Sequence, residues 1–439
     1  MFSKLSGVHV PHRKNTAKMP AVRMPIPKSV TIPMNMHIGV PSNPIVKVGD
    51  EVKVGQLIAE AAGFVGSPVH ASVSGKVTSV APIIASNGAQ VSAVTIESDG
   101  EMSLCDNLIP PEITDYGSFI EAVRTSGVVG LGGAGFPTSV KLDVKDTSKI
   151  QEVVINGAEC EPYITSDTRT MIDDADLIYE GVQLLKRFLN VEKVVIGVEK
   201  NKPEAIKSMQ NTFAHEPAVT VKPLPSLYPQ GGEKVLIYNC VGKIVPEGKL
   251  PLDVGVIVLN CTTLAFIAKY AKTGIPLIEK VITVDGSSVS NPQNVIVPIG
   301  TPMQDVFDFC GGFKAEPKKV FYGGPMMGIT VPDTSAPILK NTNAIIALKE
   351  SDAILPEPTP CIRCGRCVTA CPLRLMPLDF ARGLATDDME LLSSRKVNLC
   401  MECGCCSYVC PARRPLVENN KLAKAKLKKY QAEKDGGNK

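Results

Sequence analysis

The spacing of apolar and polar positions changes along this chain, and each change marks a new kind of element. Over 25–100 the period is short. Residues 45–58 (IVKVGDEVKVGQLI) alternate apolar with polar and break at Gly49-Asp50 and Gly55. Residues 69–77 (VHASVSGKV) continue in the same style. Alternation punctuated by glycine predicts short, half-buried strands. Over 115–275 the pattern lengthens. Apolar runs at 152–155, 193–198, 218–221 and 254–259 predict strands, while 174–188 and 203–213 carry helical periodicity. Alternating strand and helix predict βαβ units around a mostly parallel sheet. Over 278–330 short strands return, with 281–286 and 294–300 bracketing a turn at 288–293, and a short helix is expected near 303–309. Residues 332–360 form a Pro-bearing connector. A Lys-rich stretch with Ala and Leu at helical spacing predicts a terminal helix over 418–434.

Composition sets the class. A chain of 439 residues, 44% hydrophobic and 21% charged, is a globular protein of three or more domains. Its net charge of +3 is too small to imply a nucleic-acid partner. The charge is uneven: from Arg413 onward nine Lys/Arg face three Asp/Glu. No apolar run reaches the ~18–20 residues a membrane span needs. The best, 254–268, is broken by Asn260, Thr262 and Thr263. The N-terminal stretch has no apolar signal region, so a reducing cytosol is the expected compartment.

The cysteines carry the chemistry. Cys361, Cys364, Cys367 and Cys371-Pro372 make a C-x2-C-x2-C-x3-C-P run, and Cys400, Cys403, Cys406 and Cys410-Pro411 repeat it. This is the spacing of bacterial ferredoxins with two [4Fe–4S] clusters, in which the fourth cysteine crosses to the other cluster. Cys361, Cys364, Cys367 and Cys410 are therefore expected to hold one cluster, and Cys400, Cys403, Cys406 and Cys371 the other. Thiolates suit iron–sulfur clusters because both are soft. Such a pair moves electrons singly. Cys105, Cys160, Cys240, Cys261 and Cys310 read as ordinary thiols, Cys405 as a spare thiol beside a cluster, and the five histidines make no metal spacing.

A second feature is the glycine run 130–138 (GLGGAGFPT). Gly130, Gly132 and Gly135 spell G-x-G-x-x-G, but a dinucleotide fingerprint needs a strand before it and a helix after it. Here a helical segment, 118–126, precedes it and Phe136-Pro137 follows. The ordinary Rossmann reading is rejected. Glycines at this density still suit a loop whose backbone N–H groups approach a phosphate.

Several segments resemble known families. Residues 45–58 and 69–77 look like the two halves of a biotinyl/lipoyl-type barrel-sandwich hybrid, but the hairpin 61–67 lacks the attachment lysine. Gly130–Thr138 with Lys141 resembles the "GxGGAGFPTxxK" motif of the flavin-binding subunit of complex I and its relatives. Residues 156–162 (NGAECEP), 228–233 (YPQGGE) and 259–264 (LNCTTL) are similar to further motifs of that family, and 278–330 to its soluble-ligand-binding β-grasp. The domain order, the opening GVHVP (7–11) and GGPMMG (323–328) resemble the RnfC family of Rnf ion-translocating electron transport complexes over 1–412.

The resemblance implies a multidomain α/β and α+β fold. A barrel-sandwich hybrid spans 1–110, a Rossmann-like α/β domain binding FMN and NAD(H) 111–276, a β-grasp 277–335 and a connector 336–355. A two-cluster ferredoxin-like domain then spans 356–415 and a basic helix 416–439. It implies non-covalent FMN and NAD(H) as substrate. Gly132, Gly133, Gly135 and Lys141 would line the phosphate, with Gly130 also among the cofactor-binding residues. Asn156, Glu159, Glu161, Gly232, Glu233, Asn260 and Thr263 would line flavin and nucleotide, and Phe136 would stack on the nicotinamide side. The alternative for Glu159 and Glu161 is that of ordinary loop carboxylates, and for Asn260 and Thr263 that of helix caps. Leu131, Ala158 and Lys234 depart from the complex I pattern. The implied activity is electron exchange between NAD(H) and ferredoxin couples, within an ion-translocating oxidoreductase. The chain would sit peripherally on the cytoplasmic side of the cell membrane, beside an Fe–S subunit and integral membrane subunits, with acidic lipid headgroups near the basic tail. The alternatives are a soluble diaphorase subunit of a hydrogenase or dehydrogenase, and a non-catalytic electron wire and docking subunit.

Overall fold

The computed structural model describes residues 5–86 and 88–436. The N-terminal strands form two small antiparallel sheets. One runs Ser29–Pro33, Gln90–Ser98, Gly75–Ile84, Glu51–Val52, and the other Asn43–Pro44, Leu57–Glu60, Val69–His70. Alternation has its expected effect: Val30, Ile32, Val52, Ile58, Val77 and Ile96 all point into one core. Gly49 and Gly55 turn the chain with positive φ (98° and 82°), which is what glycine permits.

That core continues without a break into the next domain. Four strands pair there in parallel, in the order Val219–Leu224, Val194–Glu199, Glu152–Gly157, Val256–Asn260. Helices Ala175–Leu189, Pro203–Thr212 and Cys261–Thr273 lie between and after them. The chain builds outward from Glu152–Gly157 on one side, then returns to add Val256–Asn260 on the other. The crevice beyond the C-terminal ends of these two strands is thus a topological switch point, the usual ligand position in an open α/β sheet.

The third sheet has six strands, in the order Val22–Arg23, Gln293–Pro298, Glu279–Asp285, Ala344–Lys349, Pro317–Tyr322, Ile329–Val331. Two of its strands come from outside the expected 277–335. Val22–Arg23 adds a parallel edge to Gln293–Pro298. Ala344–Lys349 lies inside the sheet, between Glu279–Asp285 and Pro317–Tyr322. The span 336–355 is therefore not only a connector. Its apolar run is buried from Ala344 to Leu348, so no alternation marks it as a strand.

The C-terminal module packs short helices around the cysteine loops. Its long helix, Leu416–Gly436, is part of that packing. Ala423 and Leu427 are buried against Phe380, Leu392 and Val397. Among the described residues no helix is long and apolar enough to cross a membrane.

Candidate functional site

The glycine loop spans the gap between helices Tyr116–Thr125 and Thr138–Leu142. No strand precedes it, as the rejection of a Rossmann fingerprint requires. Its base is closed by Gly130 N donating to Phe136 O (2.8 Å) and Gly135 N to Gly130 O (3.2 Å). Its tip, residues 132–134, stands exposed. Gly133 has φ +120°, and a Cβ there would meet nothing within 4 Å. The loop is pinned from several sides. Leu131 N donates to Thr263 Oγ1 (2.9 Å), Lys280 Nζ to Leu131 O (2.6 Å), and Asn341 Nδ2 to Gly133 O (2.9 Å).

The loop lies over the switch point. Asn156 and Asn260 are register partners at the ends of adjacent strands. A Cβ on Gly132 would touch the Asn260 side chain at 3.0 Å. Asn260 caps helix Cys261–Thr273, accepting from Thr263 N (3.1 Å), and donates to Asp167 (2.8 Å). Asn156 donates to Gly231 O (3.0 Å). An exposed, glycine-rich arch over a strand-end crevice fits a phosphate-bearing group such as FMN.

Other expected contacts are already engaged. Lys141 donates to Glu233 (2.9 Å) and to Val258 O (3.1 Å). Glu159 accepts from Asp167 N (2.7 Å) and Thr168 Oγ1 (2.6 Å). Glu161 accepts from Met326 N (3.0 Å) and Met327 N (2.7 Å). Burial pushes the Glu161 carboxyl up to about 7, and it raises Glu159 as well. Both glutamates hold main chain, as loop carboxylates do. Phe136 is half-buried at the loop's exit.

Sequence reasoning missed the cations that fix this frame. Lys14 Nζ donates to the carbonyls of Glu159 (2.7 Å), Glu161 (2.8 Å) and Ile164 (2.6 Å). Lys202 donates to Glu159 O (3.0 Å) and Glu199 (2.7 Å). Lys340, fully buried, donates to Ser67 Oγ (3.1 Å), Pro68 O (2.5 Å) and Gly127 O (2.7 Å), tying barrel, loop base and β-grasp together. Apart from the local Lys202–Glu199 pair, no spacing announces these lysines, because the carbonyls they hold are remote in sequence.

The cysteines surround two cavities. One is lined by Cys371, Cys400, Cys403 and Cys406, with Cys405 also on its wall, and the other by Cys361, Cys364, Cys367 and Cys410. Each set takes three cysteines from one run and the fourth from the other. Among the described residues no group of three or more His, Cys, Asp or Glu is placed to hold a single metal ion. Four soft donors ringing an open centre fit a polynuclear cluster.

The two sets have different surroundings. Cys403 and Cys406 are buried, whereas Cys361 and Cys364 are exposed. The first, inner set abuts the α/β domain. Met401 packs on Gly232, Tyr228 Oη donates to Cys403 O (2.8 Å), and Cys405 Sγ donates to Tyr228 O (3.8 Å). Val8, Val10, Tyr228, Cys403 and Cys405 share one apolar cluster, with Met326 against it.

Comparison with known proteins agrees with this order of domains. The RnfC barrel sandwich hybrid domain matches residues 2–101, the Nuo51 FMN-binding domain 123–269, the SLBB domain 281–330 and the 4Fe-4S dicluster domain 353–411. The chain is 44% identical over 426 residues to the C-subunit of the Na(+)-translocating ferredoxin:NAD(+) oxidoreductase complex of Acetobacterium woodii, covering 96% of both chains. It is 42% identical over 377 residues to the proton-translocating counterpart of Clostridium ljungdahlii, covering 84% of this chain and 82% of that one. It is 38% identical over 439 residues to the C-subunit of the ion-translocating oxidoreductase complex of Rhodobacter capsulatus, covering 99% of this chain and 85% of that one. Full-length similarity and matched domain order together place the chain in the RnfC family, among the subunits of ion-translocating ferredoxin:NAD oxidoreductase complexes.

Proposed function

We propose that this chain exchanges electrons between NAD(H) and the other subunits of a membrane-bound Rnf-type complex, linking the ferredoxin and NAD couples to ion transport. It sits peripherally on the cytoplasmic side of the cell membrane, beside an Fe–S subunit and integral membrane subunits. Exposed lysines of the terminal helix, such as Lys421 and Lys428, face acidic lipid headgroups. When bound, FMN exchanges electron pairs with NAD(H) and single electrons with iron–sulfur clusters.

The observation that carries this reading is the seating of the inner cysteine loop on the α/β domain, Met401 against Gly232. It places the two cofactor regions side by side. In that arrangement Gly130, Gly132, Gly133 and Gly135 receive the phosphate. Asn156, Gly232, Asn260 and Thr263 border the ring system. Lys141 and Glu233 act as a pair, the lysine keeping its charge near the crevice while the glutamate fixes its direction. Glu159 and Glu161 position main chain. Phe136 bounds the nicotinamide side.

Anaerobic reconstitution tests the reading: about eight irons per chain, from two four-iron clusters, and one FMN are expected, with NADH oxidised by ferricyanide. One cluster only, or no flavin, overturns it. A non-catalytic wire is the second reading. It is favoured by Leu131 and Ala158, which are buried and offer a nucleotide no polar group. A chain that binds FMN yet leaves NADH unoxidised would select it.

A further inference from the structure

The two cysteine repeats share one backbone. Arg363 and Glu402, at matching positions, have φ +53° and +59°, and Gly365 and Gly404 have +76° and +79°. Each repeat then enters a four-residue helix, Arg366–Thr369 or Cys405–Tyr408. Matching positions differ in side chain and in what covers them. Met401 is seated on Gly232, whereas Ile362, its counterpart, is 68% exposed. Glu402 pairs with Lys424 at 2.5 Å, while Arg363 stands exposed. A Cβ on Gly404 would meet Met326 O at 3.1 Å, and one on Gly365 would meet nothing within 4 Å.

The inner repeat is thus a docked copy of a surface that the outer repeat presents bare. Exposed Arg363 and Arg366 flank that surface with half-buried Arg414 beside them, and the nearby Asp379 carboxylate is held by Arg395 (2.9 Å). We propose that the outer repeat is the docking face for an acidic, cofactor-carrying domain of a partner subunit, with Ile362 as its central apolar contact. This rests on reading both cavities as cluster sites. Cys361 and Cys364 are exposed beside Ile362. Electron tunnelling weakens steeply with distance, so an exposed cluster edge serves transfer only if a partner's redox centre is brought against it. An apolar centre with a charged rim is the anatomy of a specific protein interface, and an arginine rim selects an acidic partner and speeds its approach.

The test uses the whole complex, purified through a tag on another subunit, and reads how much of this chain is retained. The variants are R363E/R366E and, separately, I362E. At about 150 mM salt both are expected to be retained about tenfold less than wild type. A photo-crosslinking residue at position 362 is expected to join a segment of another subunit rich in Asp and Glu. Full retention of both variants, or a crosslink to a lysine-rich segment or to lipid, overturns the proposal. Iron content of the variants keeps the two ideas apart. Full iron with unchanged retention rejects the docking face alone, whereas wild-type chain without iron rejects the cluster reading beneath it.

Discussion

Two copies of one cysteine motif meet opposite fates in this molecule. The inner copy is covered by the α/β domain, the GGPMMG loop and the terminal helix; the outer copy has its loop in solvent. The difference does not lie in cysteine spacing, which is the same in both. It lies in the residues between the cysteines and in what packs on them. The inner loop's Met401 and Cys405 are absorbed by a shared apolar cluster, while the outer loop's Ile362, Arg363 and Arg366 are exposed. The cysteine spacing is the same in both copies, and packing makes their surroundings different.

The largest expected effect removes one ligand from each copy. Cys364→Ala should lower iron from about eight to about four per chain, keep FMN and barely move the thermal midpoint. Cys403→Ala should lose the same iron but, with no cluster holding the buried loop, also loosen the seat of its main-chain carbonyl on Tyr228 Oη. A clear fall in midpoint and weaker FMN retention should follow. Iron, flavin and melting assays on both variants check this. Equal destabilisation would erase the contrast between the copies.

How legible this was follows from range. The cysteine spacing and the glycine arch are local, so their chemistry could be read from a few adjacent residues. The same is true of the alternating strands around Gly49 and Gly55. Lys14, Lys280 and Asn341 were not legible because each acts on carbonyls far away in sequence. The strand Ala344–Lys349 was hidden because a fully buried strand shows no alternation. Met401 and Ile362 look interchangeable as letters; only packing separates the seated one from the bare one.

One pH effect should reach the inner copy through the loop that covers it. Glu161 holds the loop whose Met326 lies against Gly404, and burial raises its carboxyl to about 7. A carboxyl raised in the fold is protonated there while the unfolded chain has already ionised. Its contribution is full below the unfolded value of about 4.3 and is lost as pH rises through about 7. This contribution should therefore fall as pH climbs from about 4 to about 7, as should that of Glu159, which burial raises in the same way. Glu161→Gln, which cannot ionise, should flatten that slope in urea melts. An unchanged slope would assign the pH dependence elsewhere.

The matched glycines give a smaller, cleaner comparison. Gly365→Ala and Gly404→Ala both force a side chain into left-handed backbone, at about 1–2 kcal/mol each. Only at Gly404 does the new Cβ also crowd a carbonyl, Met326 O at 3.1 Å. Gly404→Ala should be the more destabilising in denaturant titrations. Equal losses would mean that the covering loop yields freely.

The smallest effect concerns the inner sulfurs. Asn420 is buried, and its Nδ2 lies 3.5 Å from Cys400 Sγ, while its Oδ1 has no hydrogen-bond partner. A side-chain N–H aimed at a ligand sulfur stabilises the more negative, reduced cluster and so raises its potential. Asn420→Leu keeps roughly the volume and removes the donor. A hydrogen bond worth about 0.5–1.5 kcal/mol corresponds, for one electron, to roughly 20–65 mV. The inner potential should drop by that order in an EPR-monitored redox titration, with the outer potential unmoved. Loss of the orphaned Oδ1 should at the same time leave the melting midpoint level or slightly higher, which separates electronic tuning from damage to the fold. A shift shared by both clusters would mean that the inner and outer sites are not independently tuned.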